Sequence, residues 1–412
     1  MFKIKKVMRS FVKSASKDVG IDLGTANTVV YVRNEGILID EPTYIAINLK
    51  TESIENIGIK AKEVIGRTAS HTKIIRPLKN GVISNYEITE KMLERFLNKI
   101  KKDKFQSARV IICVPSGVTQ VERRAVMDVV KDSGAKEVYL VEEPVAAAIG
   151  AGIDIFEPKG HMIIDIGGGT TELAFIVSGG VAYSTSIKVA GDRFNEDIID
   201  FIRQKYNLLI GETTAEKLKI DASNSSSEKE LFEIRGRELV TGLPKSMKVH
   251  GHDIDEAITR DIDTIIETVK LALEGIEPEV SADIYETGIF LSGGGAAIKE
   301  LTRKLEKEFN LTVTIADEPI YAVIKGIAII LENFAMYKNV IISSHSEYQQ
   351  PAFSIKKEFL MPNYLNIADS DFMFSNSVLN ILIIKILMLL KRQTADNVKA
   401  FVPCRLIWPG YE

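Results

Sequence analysis

Two short stretches pair an acid with a small-residue turn in a way that suits phosphate chemistry. In His161–Val177 (HMIIDIGGGTTELAFIV) an apolar strand reaches Asp165; Gly167, Gly168 and Gly169 follow, then Thr170 and a second strand. Consecutive glycines permit positive φ and let backbone N–H groups face an anion with no Cβ in the way. A carboxylate just before such a turn repels a bare phosphate, but it suits one that arrives with a divalent cation, held directly or through waters. Val19–Val32 (VGIDLGTANTVVYV) repeats the arrangement with Asp22 and the turn Gly24-Thr25-Ala26-Asn27. Taken singly, either stretch also fits a glycine-rich hairpin with no ligand. Their recurrence about a domain's length apart points to two related halves that pinch one phosphate chain. Neither is a G-x-x-x-x-G-K-[ST] loop or a G-x-G-x-x-G helix start.

A third candidate is the acid pair Glu142-Glu143, which follows the strand Val138–Val141 and opens a small-residue helix at Pro144–Ile149. Upstream lie a buried strand, Arg109–Val114, the turn Pro115-Ser116-Gly117 and an amphipathic helix, Thr119–Ser133, with Thr119 as its N-cap. This is a doubly wound α/β alternation, whose ligands sit beyond the carboxyl ends of strands. There Glu143 is placed to position or deprotonate an attacking water. The alternative is an acid that favours the dipole of a helix N-terminus. A fourth candidate, strand Gly288–Leu291 with Ser292-Gly293-Gly294-Gly295-Ala296 and helix Ala297–Phe309, suits a nucleoside or α-phosphate.

The elements that must position these turns follow from periodicity and turn chemistry. Gly36–Asn48 reads as one further strand; Lys60–Arg67 and Glu87–Lys102 read as helices, the second with Ile88, Met92, Leu93, Phe96 and Ile100 on one face. In the second half, helices are expected over Gly191–Tyr206, Thr213–Ile220, Ile254–Gly275 and Tyr321–Leu331. Strands are expected over Phe232–Val240 and Thr312–Ile315, with a polar loop at Asp221–Lys229.

A chain of 412 residues with 45% hydrophobic and 26% charged residues is long enough for two or three domains. Its net charge of −4 argues against nucleic acid as the main partner. Two cysteines, Cys113 and Cys404, indicate a reduced intracellular protein without a disulfide framework, and no secretory signal is expected. Residues 1–17 place Ile4, Val7, Met8, Phe11 and Val12 at helical spacing among lysines and arginine. That pattern fits a helix in the interface of an anionic membrane, or else a docking helix or basic tail. Phe105, in a basic loop, is a second candidate insertion point. From about Val340 periodicity fades, and Val378–Leu390 is an apolar run shorter than the roughly 20 residues a membrane span needs.

Taken together, the phrases IDLGTANT (Ile21–Thr28), VPSG (Val114–Gly117), VERRAV (Val121–Val126), VEEPVAAAIGAG (Val141–Gly152), DIGGGTTE (Asp165–Glu172), TGLPK (Thr241–Lys245) and LSGGGA (Leu291–Ala296) resemble the actin/heat-shock ATPase/sugar-kinase superfamily and, within it, the MreB family of bacterial actins. The resemblance runs in order from about Asp18 to Lys338. It implies an α/β, actin-like ATPase fold: two duplicated RNase-H-like lobes, residues 18–160 and 161–340, forming four subdomains around a nucleotide cleft, with 341–412 as an atypical extension. It further implies ATP and magnesium as cofactors, homopolymeric filaments, and a place on the cytoplasmic face of the cell membrane among the proteins of cell-wall elongation. Gly24, Thr25, Ala26 and Asn27 would hold β- and γ-phosphates from one side and Gly167, Gly168, Gly169 and Thr170 from the other. Asp22 and Asp165 would bind the magnesium, and Glu143, helped by Thr170, would orient the hydrolytic water. The Glu216, Lys217, Leu218 and Lys219 helix would flank the adenosine, with Gly293, Gly294, Gly295 and Ala296 as its other wall.

Three relatives of this clamp compete. A chaperone of the heat-shock type needs a β-rich peptide-binding domain that the remaining tail is too short to supply. A sugar kinase needs a sugar pocket with its own base, and no such motif occurs. A non-hydrolysing scaffold has no use for Glu143 and Thr170, and both are present.

Overall fold

The computed structural model describes residues 18–100, 109–225 and 230–342. The membrane-helix expectation on residues 1–17, the one on Phe105 and those on the chain after 342 lie outside the described residues.

The first half comprises β1 (Val19–Leu23), β2 (Asn27–Val32), β3 (Gly36–Pro42), β4 (Ile45–Asn48), β5 (Ile54–Ile57), α1 (Ile59–Lys62), β6 (Thr72–Ile75), β7 (Leu78–Lys79), β8 (Val82–Ile83), α2 (Tyr86–Leu97), β9 (Arg109–Val114), α3 (Gln120–Asp132), β10 (Glu137–Glu142) and α4 (Glu143–Gly150). The second half comprises β11 (His161–Ile166), β12 (Thr171–Val177), β13 (Gly180–Ile187), α5 (Gly191–Tyr206), β14 (Leu208–Leu209), α6 (Glu212–Asn224), β15 (Leu231–Glu238), β16 (Pro244–His250), α7 (Gly251–Glu274), α8 (Pro278–Thr287), β17 (Ile289–Ser292), α9 (Lys299–Phe309), β18 (Val313–Ile315) and α10 (Ala322–Glu332).

Each half is built on a five-stranded sheet, ordered β10-β9-β1-β2-β3 in the first and β13-β12-β11-β17-β18 in the second. In both, the first three strands form an antiparallel meander, and two later strands add in parallel to the opposite side of the first. The topology is duplicated strand for strand, and each acid–glycine turn joins the first two strands of its sheet. Each half also carries a three-stranded sheet, β5-β4-β6 or β14-β15-β16. That is the four-part arrangement implied by the resemblance.

The amphipathic faces account for the layers. Met92, Leu93 and Phe96 of α2 bury against Val110 and Ile112 of β9. The core of the second half gathers Phe194 and Ile198 of α5, Ile258 and Ile262 of α7, and Phe175 of β12. A third cluster joins the halves through α4 and α10, where side chains are small enough for the backbones to touch. A Cβ on Gly150 would lie 1.8 Å from the Ala322 carbonyl oxygen, and one on Gly326 1.8 Å from that of Ala146. Only glycine fits this crossing.

Several boundaries differ from expectation. The single strand expected over Gly36–Asn48 is two, because Pro42 cannot donate to a ladder and Thr43 turns inward to donate to Gly24 O at 2.8 Å. The helix expected at Lys60–Arg67 is one turn, Ile59–Lys62, with Gly66 at φ +72 soon after it. α2 stops at Leu97, where a tighter turn (Ile100 N–H to Leu97 O, 2.9 Å) replaces the helix expected to reach Lys102. The polar loop expected from Asp221 begins only after Asn224. Strand β16 and helix α8 were not expected, nor was β13, whose Ser178-Gly179 turn has φ of 50° and 76°. Ile342 pairs with Leu140 on edge strand β10 (2.8 and 3.0 Å), so the fold takes up the start of the segment assigned to the extension.

Candidate active site

The two acid–glycine turns are closed identically: Gly24 N–H donates to Asn27 O at 3.0 Å and Gly167 N–H to Thr170 O at 2.9 Å. The amides of Thr25, Ala26, Gly168 and Gly169 between them have no acceptor among the described residues. Backbone donors without partners are what an anion requires. The turns also meet. A Cβ on Gly168 would stand 2.6 Å from Ala26 Cβ, and one on Gly169 2.6 Å from Thr25 Oγ1. Thr25 Oγ1 in turn accepts from Gly81 N–H at 2.9 Å, which fixes the first turn against the Asn80-Gly81 loop.

Between the turns lies a cavity of about 100 Å³, room for a phosphoryl group and a few waters. Asp22, Gly24, Thr25, Ala26 and Asn27 line it from the first half, with Glu143 beside them; Asp165, Gly167, Gly168, Gly169, Thr170 and Gly293 line it from the second. The residues expected at the phosphates are thus brought together. Those expected at the nucleoside are divided. Lys219 Nζ donates to Gly191 O at 2.7 Å, and the Gly191 backbone in turn packs on Gly167, so this cation stands beside the second turn. Glu216 pairs with Lys62 of the other half at 2.7 Å. Lys217 is exposed and the Leu218 side chain belongs to the core, so neither side chain forms a wall of the cavity. Gly295 and Ala296 are buried and Gly294 is exposed. Cβ atoms on Gly293 and Gly295 would meet Ile166 at 2.3 and 2.2 Å, so glycine there answers to packing on β11.

The acids carry the electrostatics. Burial pushes Asp22 up to about 7, with the charge of Asp165 adding to it. Burial also pushes Asp165 up to about 6, opposed by Ser292 Oγ, which donates to it at 2.5 Å. Glu143 stands at the start of α4 and is raised first by burial, then by the charges of Glu172, Asp22 and Asp165. No lysine or arginine pairs with Asp22, Glu143 or Asp165 among the described residues. Sequestered negative charge of this kind is costly until a cation neutralises it. No three acids among the described residues converge closely enough to hold an ion alone. That donor set fits magnesium, which keeps several waters and shares its shell with phosphate oxygens.

Three residues of the site were not expected. Arg76 reaches from the first half to Glu212 (3.3 Å) and also donates to Thr25 O (3.3 Å). Tyr44 lies under its guanidinium, 5.1 Å from the ring centroid, and donates to Glu212 at 3.2 Å. Glu172, fully buried, accepts from Ser116 N–H of the first half at 3.0 Å and from Ser186 Oγ at 2.7 Å. Ser116 and Glu172 lie within the phrases VPSG and DIGGGTTE, but nothing in their own spacing assigns them a role.

Known proteins share much of this sequence and its fold. Residues 16–339 match the MreB/Mbl protein family. The chain is 44% identical over 321 residues to the cell shape-determining protein Mbl of Bacillus cereus, covering 77% of this chain and 96% of that one. It is 42% identical over 345 residues to the cell shape-determining protein MreB of Escherichia coli K12, covering 82% and 99%. Crystalline MreB5 of Spiroplasma citri bound to AMPPNP superposes with a TM-score of 0.75 at 37% identity, covering 79% of this chain and 98% of that one. A MamK double helical filament shares the fold, with a TM-score of 0.66 at 20% identity and coverages of 77% and 99%. The chain belongs to the MreB/Mbl family of bacterial actin-like proteins.

Proposed function

We propose that this chain binds and hydrolyses ATP with magnesium and polymerises into membrane-associated filaments that maintain rod cell shape by organising cell-wall synthesis. The observation that carries the nucleotide part is the meeting of two equivalent turns, one from each lobe, over a cavity lined by Asp22, Asp165, Glu143 and Thr170. Support for the rest is by relationship: the curated relatives are named for cell shape, and a solved relative holds a nucleotide analogue. Residues 18–160 and 161–340 act as the two lobes, and residues 1–17 as the membrane-binding segment on the cytoplasmic face.

Phosphoryl transfer to water is mainly positioning and charge stabilisation. The free amides of Thr25, Ala26, Gly168 and Gly169 would cradle phosphate oxygens, and closure of the lobes would exclude bulk water. Asp22 and Asp165 would hold magnesium through its waters; when bound, the ion offsets phosphate charge. Glu143 lies at the strand end where an in-line water would sit. Its raised proton affinity suits a group that orients that water and takes a proton as the oxygen attacks phosphorus. Thr170, across the cavity, would steady the same water. Loss of the terminal phosphate would then weaken the closed, polymerising shape.

The experiment is Glu143→Ala in the full chain, with ATP binding and phosphate release measured together. The expected result is near-normal binding with release slowed about 10²–10⁴-fold. Unchanged release would remove Glu143 from the mechanism.

A further inference from the structure

We propose that Glu172 is a positioning residue for hydrolysis, holding Thr170 and Glu143 in register across the cleft; the inference rests on the hydrolysis reading above. Glu172 is fully buried on β12, and no lysine or arginine pairs with it among the described residues. An unpaired carboxylate is a costly choice for a strand interior, where its neighbours Leu173, Ala174 and Phe175 are apolar. Its hydrogen bonds show what it does there. One carboxylate oxygen accepts from Ser116 N–H at 3.0 Å, on the turn after β9 in the first lobe. The other accepts from Ser186 Oγ at 2.7 Å, on β13 of the second. Thr170 immediately precedes β12, two residues before Glu172.

The bonding continues past Ser116. Its Oγ donates to Glu142 Oε2 at 3.3 Å, and Glu142 immediately precedes Glu143. A run of hydrogen bonds, Ser186–Glu172–Ser116–Glu142, therefore links β12 and β13 of the second lobe, where Glu172 follows Thr170 by two residues, to the Glu142 side chain, one residue before Glu143. It crosses from one lobe to the other. Two groups on separate lobes cannot share one water unless the lobes are held to a fraction of an ångström, and misplacement by about 1 Å costs on the order of 100-fold in rate.

The test compares the full chain with Glu172→Ala and Glu172→Gln, measuring fluorescent ATP affinity, steady-state phosphate release and melting temperature. Glu172→Ala is expected to release phosphate on the order of 100-fold more slowly with affinity within about threefold. Glutamine keeps an acceptor for Ser116 N–H and a donor that Ser186 Oγ can accept, so Glu172→Gln should recover to within about fivefold of the native rate. Native turnover in Glu172→Ala overturns the proposal. So does a parallel fall of affinity, turnover and melting temperature in both variants, which would make Glu172 a core residue only. If Glu172→Ala does not fold, Ser186→Ala replaces it. An expected turnover loss of about 3–10-fold at unchanged affinity supports the proposal, and unchanged turnover overturns it. A native chain that binds ATP yet releases no phosphate overturns the hydrolysis reading, and this inference with it.

Discussion

Arg76 Nη2 on the first lobe lies 2.9 Å from Asp192 Oδ1 on the second, across the mouth of the cleft. With Glu212, Thr25 O and the Tyr44 ring around the same guanidinium, and with Lys62–Glu216 alongside, these contacts clasp the two lobes together. Arg76→Ala should therefore raise the dissociation rate of bound nucleotide, on the order of 10-fold, and lower stability by about 1–3 kcal/mol. Arg76→Lys should recover little, because a point charge cannot serve three partners at fork geometry. Stopped-flow displacement of a fluorescent nucleotide decides it; an unchanged rate would mean the clasp does not govern opening.

The turn-to-turn contact predicts a compensating pair. Gly168→Ala places a methyl 2.6 Å from Ala26 Cβ and should weaken nucleotide binding about 10-fold by forcing the turns apart. Removing the opposing methyl with Ala26→Gly should restore part of that affinity. Titration calorimetry on the two single variants and the double variant measures the coupling, and strict additivity would show that the turns do not meet in the bound state.

Lys219 supplies a pH dependence. Burial lowers it from 10.5 to about 8, so its positive charge beside the second turn is present below about pH 8 and lost above it. Nucleotide affinity should fall severalfold between about pH 7 and 9.5. In the ligand-free chain the same shift has the opposite sense for stability: between about 8 and 10.5 the unfolded state holds the extra proton, so this group adds stability as pH rises. Lys219→Arg keeps its charge throughout and should flatten the affinity profile. A native profile that is already flat would place Lys219 away from the ligand.

The α4–α10 crossing inverts a common rule. Glycine to alanine inside a helix ordinarily stabilises by up to about 1 kcal/mol. Here Gly326→Ala would drive a methyl to 1.8 Å from the Ala146 carbonyl, so it should destabilise by about 1–3 kcal/mol or more. Denaturant unfolding gives the sign directly, and a stabilised variant would show that the two helices are not in contact.

What the sequence disclosed and what it hid divide along contact range. The two phosphate turns were legible because acid, glycines and β-branched strands lie within a few residues of each other. The duplication was legible because that local pattern recurs. Thr119 was identified as a cap, and the structure shows a full capping box with Glu122. Arg76 carries no local sign of its role, because its partners Asp192 and Glu212 are remote in sequence. Gly150 and Gly326 carry no local sign of a crossing. Leu218 was carried into the site by its neighbours, although α6 turns its side chain to the core. β13 was missed because none of its residues is fully buried, so it lacks the apolar alternation of a core strand.

On the reading proposed above, nucleotide binding in this cleft drives assembly. Sedimentation with and without ATP–magnesium and anionic liposomes, on the full chain and on a form ending at Lys338, decides whether it does. Nucleotide-dependent pelleting of both forms is expected, with liposomes carried down by each. Removing residues 1–13 should abolish the liposome association and leave ATP binding intact. ATP binding without pelleting of either form would overturn nucleotide-driven assembly and leave a non-polymerising ATPase of the same fold.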